Sequence, residues 1–417
     1  MQRVYDIRDF GAVAGGEIKN TQAIQAAIDA CHENGGGRVL ISGGRYMSGT
    51  VILKSNVELH LATDGILYGS PDCADYPERP DVKHVDSKLL PRWRNGCFIF
   101  AEESENISIT GLGTIDCHGE AFVTDESFCG WKHKRIDAPT PPRVIFFTGC
   151  RNVHFEGFTM TNQPAGWSFW IHDCDYVALD KLKILADVEY PNNDGIHINC
   201  SRNVTVSNCD ITCGDDCIVV RANSRSLKEN KISEKVTVTN CNLTSYASGV
   251  RIGWMNCGTI RNCAFSNLVM TDCSVGINFM FPYIPFDPAK TNTADTGREN
   301  SRVENISFSN IIMHQVYSNP VRLWIAPEAD VKIDTVRNLY FSGIHASSPQ
   351  HIHLEGRPEN QPENIVFTDC DFEITDGSEF PDKEVHGSES NPGGETHMPT
   401  VKHVKGITFN QVRLTVK

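Results

Sequence analysis

The sequence predicts an all-β chain, a single-stranded right-handed parallel β-helix with an N-terminal capping helix. Three observations carry that expectation: a short alternating unit that recurs down the chain, asparagine or aspartate beside cysteine at the unit's turns, and helical periodicity confined to the start. The helix comes first. NTQAIQAAIDAC (20–31) places Ile24, Ala27, Ile28 and Cys31 on one face, and Gly35–Gly37 end it. Asn20 or Thr21 is the expected cap, and the helix would cover the open end of a solenoid. The repeat follows. NISITGLGTI (106–115) returns as NVHFEGFTM (152–160), YVALDKLKI (176–184), NVTVSNCDI (203–211), KVTVTNCNL (235–243), NISFSNIIM (305–313), NIVFTDCDF (364–372) and GITFNQVRL (406–414). Each copy is a short strand, a polar turn and another short strand. A unit of this size cannot bury its own apolar face and must stack on a neighbour. Sandwiches and barrels also use short strands but need hairpins, whereas these units run in the same sense. The pairs Asn208–Cys209, Asn240–Cys241, Asn262–Cys263 and Asp369–Cys370 predict a stacked turn ladder, because asparagine tolerates left-handed geometry and bonds neighbouring backbone. Residues 1–417 read as one such domain, with long loops at 70–97, 118–142, 282–302, 346–362 and 376–402.

Composition narrows the class. Lysine and arginine number 38 against 52 acidic residues, a formal net charge of −14, which disfavours a nucleic-acid partner. No run of 18 apolar residues suggests a membrane span. MQRVYDIRDFGAV lacks the apolar core of a signal peptide, so a cytoplasmic protein is expected, or an extracellular or periplasmic one if a leader has been removed. The 16 cysteines lack metal-knuckle spacing and read as buried free thiols.

The chemistry-bearing stretch is NNDGIHINC (192–200) with GDDC (214–217). Asp194 and Asp216 stand 22 positions apart, one coil, and Asp215 is next to the second. Stacked strands lie about 4.8 Å apart, so the three carboxylates would repel one another and at least one would hold a proton near neutral pH. A protonated acid beside ionised carboxylates is what glycosidic cleavage needs. Two other readings fit the same spacing: side chains bonding turn backbone, and a calcium site built from hard oxygen ligands.

These residues resemble the polygalacturonase-like glycoside hydrolases of family 28, pectin-degrading β-helix enzymes. DFGAV (9–13), NTQAIQAAIDAC, GGGRVLISGGRYMSGTVILKSNVELHL (35–61) and GTID (113–116) resemble that family's opening. NNDGI resembles its Asn-Thr-Asp-Gly motif, and GDDC its Gly-Asp-Asp motif. The resemblance implies hydrolysis with inversion, with Asp215 as general acid and Asp194 and Asp216 positioning and deprotonating water. Acid and base are then expected about 6.5–9.5 Å apart.

The chain departs from the family at two places. Ser248 in SYASGVRIGW (245–254) stands where the family has histidine, and Asn278 and Met280 stand where it has the Arg-Ile-Lys clamp for a substrate carboxylate. Neither replaces a planar bidentate arginine. Arg251, Arg221 and Arg322 are candidates for a rearranged clamp, His197 and His172 for the missing histidine, and Asn278, Trp254 and Trp324 for sugar contacts. The phenylalanines Phe169 and Phe279 read as core. Loops that wall the groove would admit a chain end. The expected function is an inverting glycoside hydrolase, exo-acting on short pectin-derived or related plant oligosaccharides rather than ordinary polygalacturonan. No cofactor or metal is expected, nor a nucleic-acid or membrane partner, and nothing demands an oligomer. A uronate-directed β-helix lyase or epimerase, or a non-catalytic carbohydrate-binding β-helix, are the alternatives.

Overall fold

The computed structural model describes residues 3–91, 94–284, 296–376 and 398–417. The predicted solenoid is present. Most coils carry one strand in an 11-stranded sheet and two in a 21-stranded sheet; in the coils of Ser233–Ser245, Cys257–Thr271, Glu299–His314 and Ile333–Ser348 those two are one continuous strand. In the coil of Asp194 these strands are Ile196–Asn199, Arg202–Ser207 and Asp210–Cys213. Register is parallel from coil to coil, with Ile196 opposite Ile218 and Ile218 opposite Val250.

Alternation decides what points inward. Ile145, Phe169, Ile196, Ile218, Val250 and Ile277 follow one another in register and are fully buried. Phe265, Phe308, Phe341, Phe367 and Phe409 form a second stacked column, with centroids 4.6–5.5 Å apart, close to the rung spacing. Phe169 and Phe279 are core, as expected. Fourteen of the sixteen thiols are buried and all sixteen are unbridged.

Turn ladders form, but as two columns: Asn208 and Asn240 continue to Asn267 and Asn310, while Asn262, expected in the same ladder, stands in a separate column with Asn305. Asn208, Asn240, Asn267 and Asn310 all hold left-handed φ of 53–56°. Asn240 donates its amide to Asn208, Asn267 to Asn240 and Asn310 to Asn267, at 3.3, 3.2 and 2.8 Å. Asn208 in turn donates to Asp180 at 2.7 Å.

The helix spans Thr21–Glu33 and buries the four predicted residues. Its cap differs from expectation. Asn20 makes no capping bond; its side chain instead ties Val13 and Ile18. The Thr21 hydroxyl accepts from the Gly49 N–H at 2.8 Å, fastening the helix to the second coil. Four expected loops are partly strand: Val123–Thr124 and Lys134–Arg135 fall within 118–142, Glu299–His314 begins inside 282–302, Ile333–Ser348 ends inside 346–362, which also holds His353–Glu355, and Thr400–Lys402 falls within 376–402. The remainder of 282–302 and 376–402 lies largely outside the described residues.

Candidate active site

The site lies on the outer face of the 11-stranded sheet. One outward row reads Phe100, Phe146, Trp170, His197, Val219, Arg251, Asn278, Arg322 and His353 in successive coils. Just upstream, Asp194 and Asp216 stand beside each other in adjacent coils, joined by the Gly195 N–H to the Asp216 carbonyl at 2.9 Å. The 22-residue interval therefore does what the sequence predicted. Asp215 completes the group: one side-chain oxygen from each of the three aspartates lies within 4.8 Å of the others.

The turns are built to bring this about. Gly214 N–H donates to Asn193 Oδ1 at 2.6 Å, and a Cβ at 214 would sit 2.4 Å from the Tyr190 carbonyl. A Cβ at Gly195 would sit 2.3 Å from the Cys217 carbonyl. Both glycines are there for close approach of backbone. Asn193 thus has the turn-bonding role, not a chemical one.

The three carboxylates have different neighbours. Asp194 meets His197 Nε2 at 2.8 Å, and that imidazole stacks on Trp167 with centroids 3.9 Å apart. Asp216 meets Arg251 Nη1 at 2.8 Å and accepts from the Ser248 N–H at 3.1 Å. Asp215 accepts from the Asn192 amide at 3.0 Å and from the Asp216 N–H at 2.9 Å. It is also the most exposed of the three, at 8 % against 2 % and 0 %. The oxygens of Asp215, the expected acid, and of Asp194 and Asp216 lie closer together than the carboxyl separation expected of an inverting pair. Oxygens within 4.8 Å of one another can share a single bridging water. The same oxygens could ligate a hard cation, but a guanidinium already stands at Asp216 and repels one.

The other expected site residues divide. Arg251 is buried with its guanidinium 4.4 Å from the Trp254 ring, and Arg221 lies 5.3 Å from the same ring. Arg322 stands two coils beyond Arg251, bonded to Asn278 Oδ1 at 3.1 Å. Asn278 is a correction: it is fully buried between Ser248 Oγ (3.0 Å) and Arg322, a spacer that cannot touch sugar. His172 is another. Its Nδ1 accepts from Asn199 at 2.7 Å and its Nε2–H donates to Ser226 Oγ at 3.0 Å. Burial pushes its pKa down to about 3, so it is a neutral structural residue. Trp254 and Trp324 are half-buried and rest partly on the core. Ser248, at the family's histidine position, is fully buried and serves Asp216 through its backbone.

Residues that sequence reading did not single out also build the site. Asn192 bonds Asp215, and Trp131 donates its indole N–H to the Gly214 carbonyl at 2.7 Å. Asn192 was visible inside NNDG; the contact of Trp131, 83 positions away, has no local signal. Loop 70–97 covers the outer row before the aspartates. Val85 and Leu90 pack with Phe100, Phe146, Trp167 and Trp170 in a cluster separate from the main core.

Clustered carboxylates on the outer sheet face of a parallel β-helix are suited to acid–base chemistry. Residues 91–233, the segment that carries all three aspartates, match the family model Glycosyl hydrolases family 28, in line with the resemblance read from the sequence. An exopolygalacturonase of Arabidopsis thaliana is 26% identical over 76% of this chain and 66% of its own length. A probable polygalacturonase of Vitis vinifera is 29% identical over 51% of this chain and 43% of its own. The chain thus spans less than two thirds of either relative. A hyperthermoactive exopolygalacturonase from Thermotoga maritima shares the fold, with a TM-score of 0.72, 22% identity, and coverage of 89% of this chain and 87% of that one.

Proposed function

We propose that this chain is an inverting, exo-acting hydrolase of short pectin-derived oligosaccharides. The observation that carries the reading is a three-carboxylate cluster beside an outer row that loop 70–97 covers on its upstream side. Asp194 and Asp216 each have a side-chain partner at 2.8 Å and Asp215 is the most exposed of the three, so we assign the proton donor's role to Asp215. Asp215 then protonates the glycosidic oxygen as the bond to the anomeric carbon breaks. A water held between Asp194 and Asp216 attacks that carbon from the other face and gives its proton to one of them. The product is a sugar of inverted configuration.

Exo action is supported by the apolar loop residues that cover the outer row upstream of His197, which favours sugar units on the downstream side. That side offers Arg251, Arg322 and Arg221 with Trp254 and Trp324. A uronate would be met by arginines on neighbouring strands, a geometry unlike two cations on one strand, and this is the reason for proposing a substrate other than ordinary polygalacturonan. The thiol-rich core favours a reducing compartment, so we place the enzyme in the cytoplasm, acting on imported fragments; fractionation that finds it outside the cell would refute this.

The test is anomer-resolved NMR of products from a panel of pectic and neutral oligosaccharides. Wild type is expected to release a terminal sugar of inverted configuration, and Asp215→Asn to lose about 10³-fold or more in kcat with its fold intact. Substantial turnover by Asp215→Asn would sink the role assignment. An unsaturated product absorbing near 235 nm would instead make the chain a lyase.

A further inference from the structure

The loop at 118–142 touches the catalytic turns through a small hairpin, Val123–Thr124 paired with Lys134–Arg135. Trp131 at its tip bonds Gly214, and Lys132 pairs with Glu189 at 2.6 Å. The His133 ring packs edge-on against Tyr190 at 5.1 Å. The hairpin is therefore fastened to both turns that present the aspartates. It delivers one cation to them. Arg135 Nε donates to the Ala165 carbonyl at 2.9 Å, and its Nη2 donates to Asn192 Oδ1 at 3.2 Å. Asn192 passes its own N–H to Asp215 Oδ2 at 3.0 Å. Asn192 adopts φ of 54°, a left-handed turn conformation that asparagine tolerates.

A primary amide links the two groups as a polar relay. A guanidinium at its oxygen draws electron density from nitrogen and strengthens the N–H as a donor. We propose that Arg135 is a positioning residue for proton transfer: through Asn192 it orients and stabilises the carboxylate that Asp215 becomes when its proton leaves. The inference rests on the reading of Asp215 as proton donor. Arg135 itself touches no reacting atom. Without it, the Asp215 carboxylate is less stabilised, so the carboxyl keeps its proton to higher pH while its conjugate base forms less readily.

The experiment is the pH dependence of kcat/KM and kcat for wild type, Arg135→Gln, Arg135→Lys, Asn192→Ala and the Arg135→Gln/Asn192→Ala double variant. Arg135→Gln is expected to lower kcat about tenfold and to move the basic limb up by about half a unit to one unit, with KM within about twofold. Arg135→Lys, which keeps the charge, should recover part of both effects. In the Asn192→Ala background Arg135→Gln should move the limb no further, because the relay is already cut. A slower Arg135→Gln enzyme with an unmoved limb, or additive shifts in the double variant, overturns the proposal and makes Arg135 a tie for the hairpin alone. If Arg135→Gln fails to fold by circular dichroism, Arg135→Lys and Asn192→Ala decide the matter, and wild-type limbs in both overturn it. Asp215→Asn separates the two readings. Turnover by that variant removes Asp215 as donor; an inactive Asp215→Asn with an unmoved limb in Arg135→Gln removes only the relay.

Discussion

The outer row of the 11-stranded sheet changes character halfway along. Before His197 it carries Phe100, Phe146 and Trp170, under Val85 and Leu90 of loop 70–97. After Val219 it carries Arg251, Asn278, Arg322 and His353. Beneath both halves the inward column is the same run of isoleucine, valine and phenylalanine. The inward residues hold the stack together and leave the outward row free to differ. Upstream it has become a second small core; downstream it has become a polar track that begins at the carboxylates.

That contrast can be broken at four places. The largest effect is expected at the boundary: Arg251→Met leaves Asp216 buried without its guanidinium and should cost about 3–5 kcal/mol in denaturant unfolding, together with most of the activity. Stability within about 1 kcal/mol of wild type would mean the pair is not a buried one in solution. Next, Leu90→Ala should cost about 2–5 kcal/mol, because Leu90 is fully buried in the upstream cluster. If that cluster closes the groove, the variant should also release products longer than the terminal sugar; an unchanged product profile would locate the closure elsewhere. Arg322→Met removes a buried cation tied to Asn278 and, through lost long-range attraction rather than lost contact, should raise KM about twofold to tenfold for uronate oligosaccharides while leaving neutral ones within about twofold. Equal losses on both would deny the downstream half its preference for acidic sugars.

The smallest effect concerns how loop 70–97 is pinned. His84 meets Asp173 at 3.0 Å and Glu103 at 3.2 Å. The hydrogen bond to Asp173 raises its pKa against an opposing effect of burial. A raised histidine pKa gives stability that is full below the unfolded value, near pH 6.5, and is lost as pH rises through the folded value. The Tm difference between wild type and His84→Asn should therefore be larger at pH 5.5 than at pH 8.5. His172 works the other way. It is buried neutral with a pKa of about 3, so its contribution is lost as pH falls from near 6.5 toward 3.

Sequence reading recovered what repeats. Alternation gave the inward columns, the asparagine–cysteine pairs gave the presence of a ladder but merged two columns into one, and one 22-residue interval brought Asp194 beside Asp216. It did less well where a side chain's fate depends on what covers it. Asn278, Arg322 and His172 occupy outward positions, yet neighbours or loops bury them. The same holds for Trp131 and Arg135. Their loop was expected to wall the groove, but nothing in its local pattern shows that an indole will find a carbonyl 83 positions away. Asn20 shows the reverse error: a good capping residue was taken by a nearer backbone partner, Val13.

The asparagine columns also have a direction. Every amide in them gives its hydrogen toward the N-terminal end: Asn364 to Asn338, Asn338 to Asn305, Asn305 to Asn262. A column therefore needs an acceptor only at its head, and Asp180 heads the one that begins at Asn208. An interior member must both give and receive. Conversion of Asn267 or Asn305 to aspartate by slow deamidation would remove the gift and set an anion against a neighbour's oxygen, whereas the head position at Asp180 already carries that chemistry. The spine of this protein ages unevenly, tolerant where that column starts and brittle along its length.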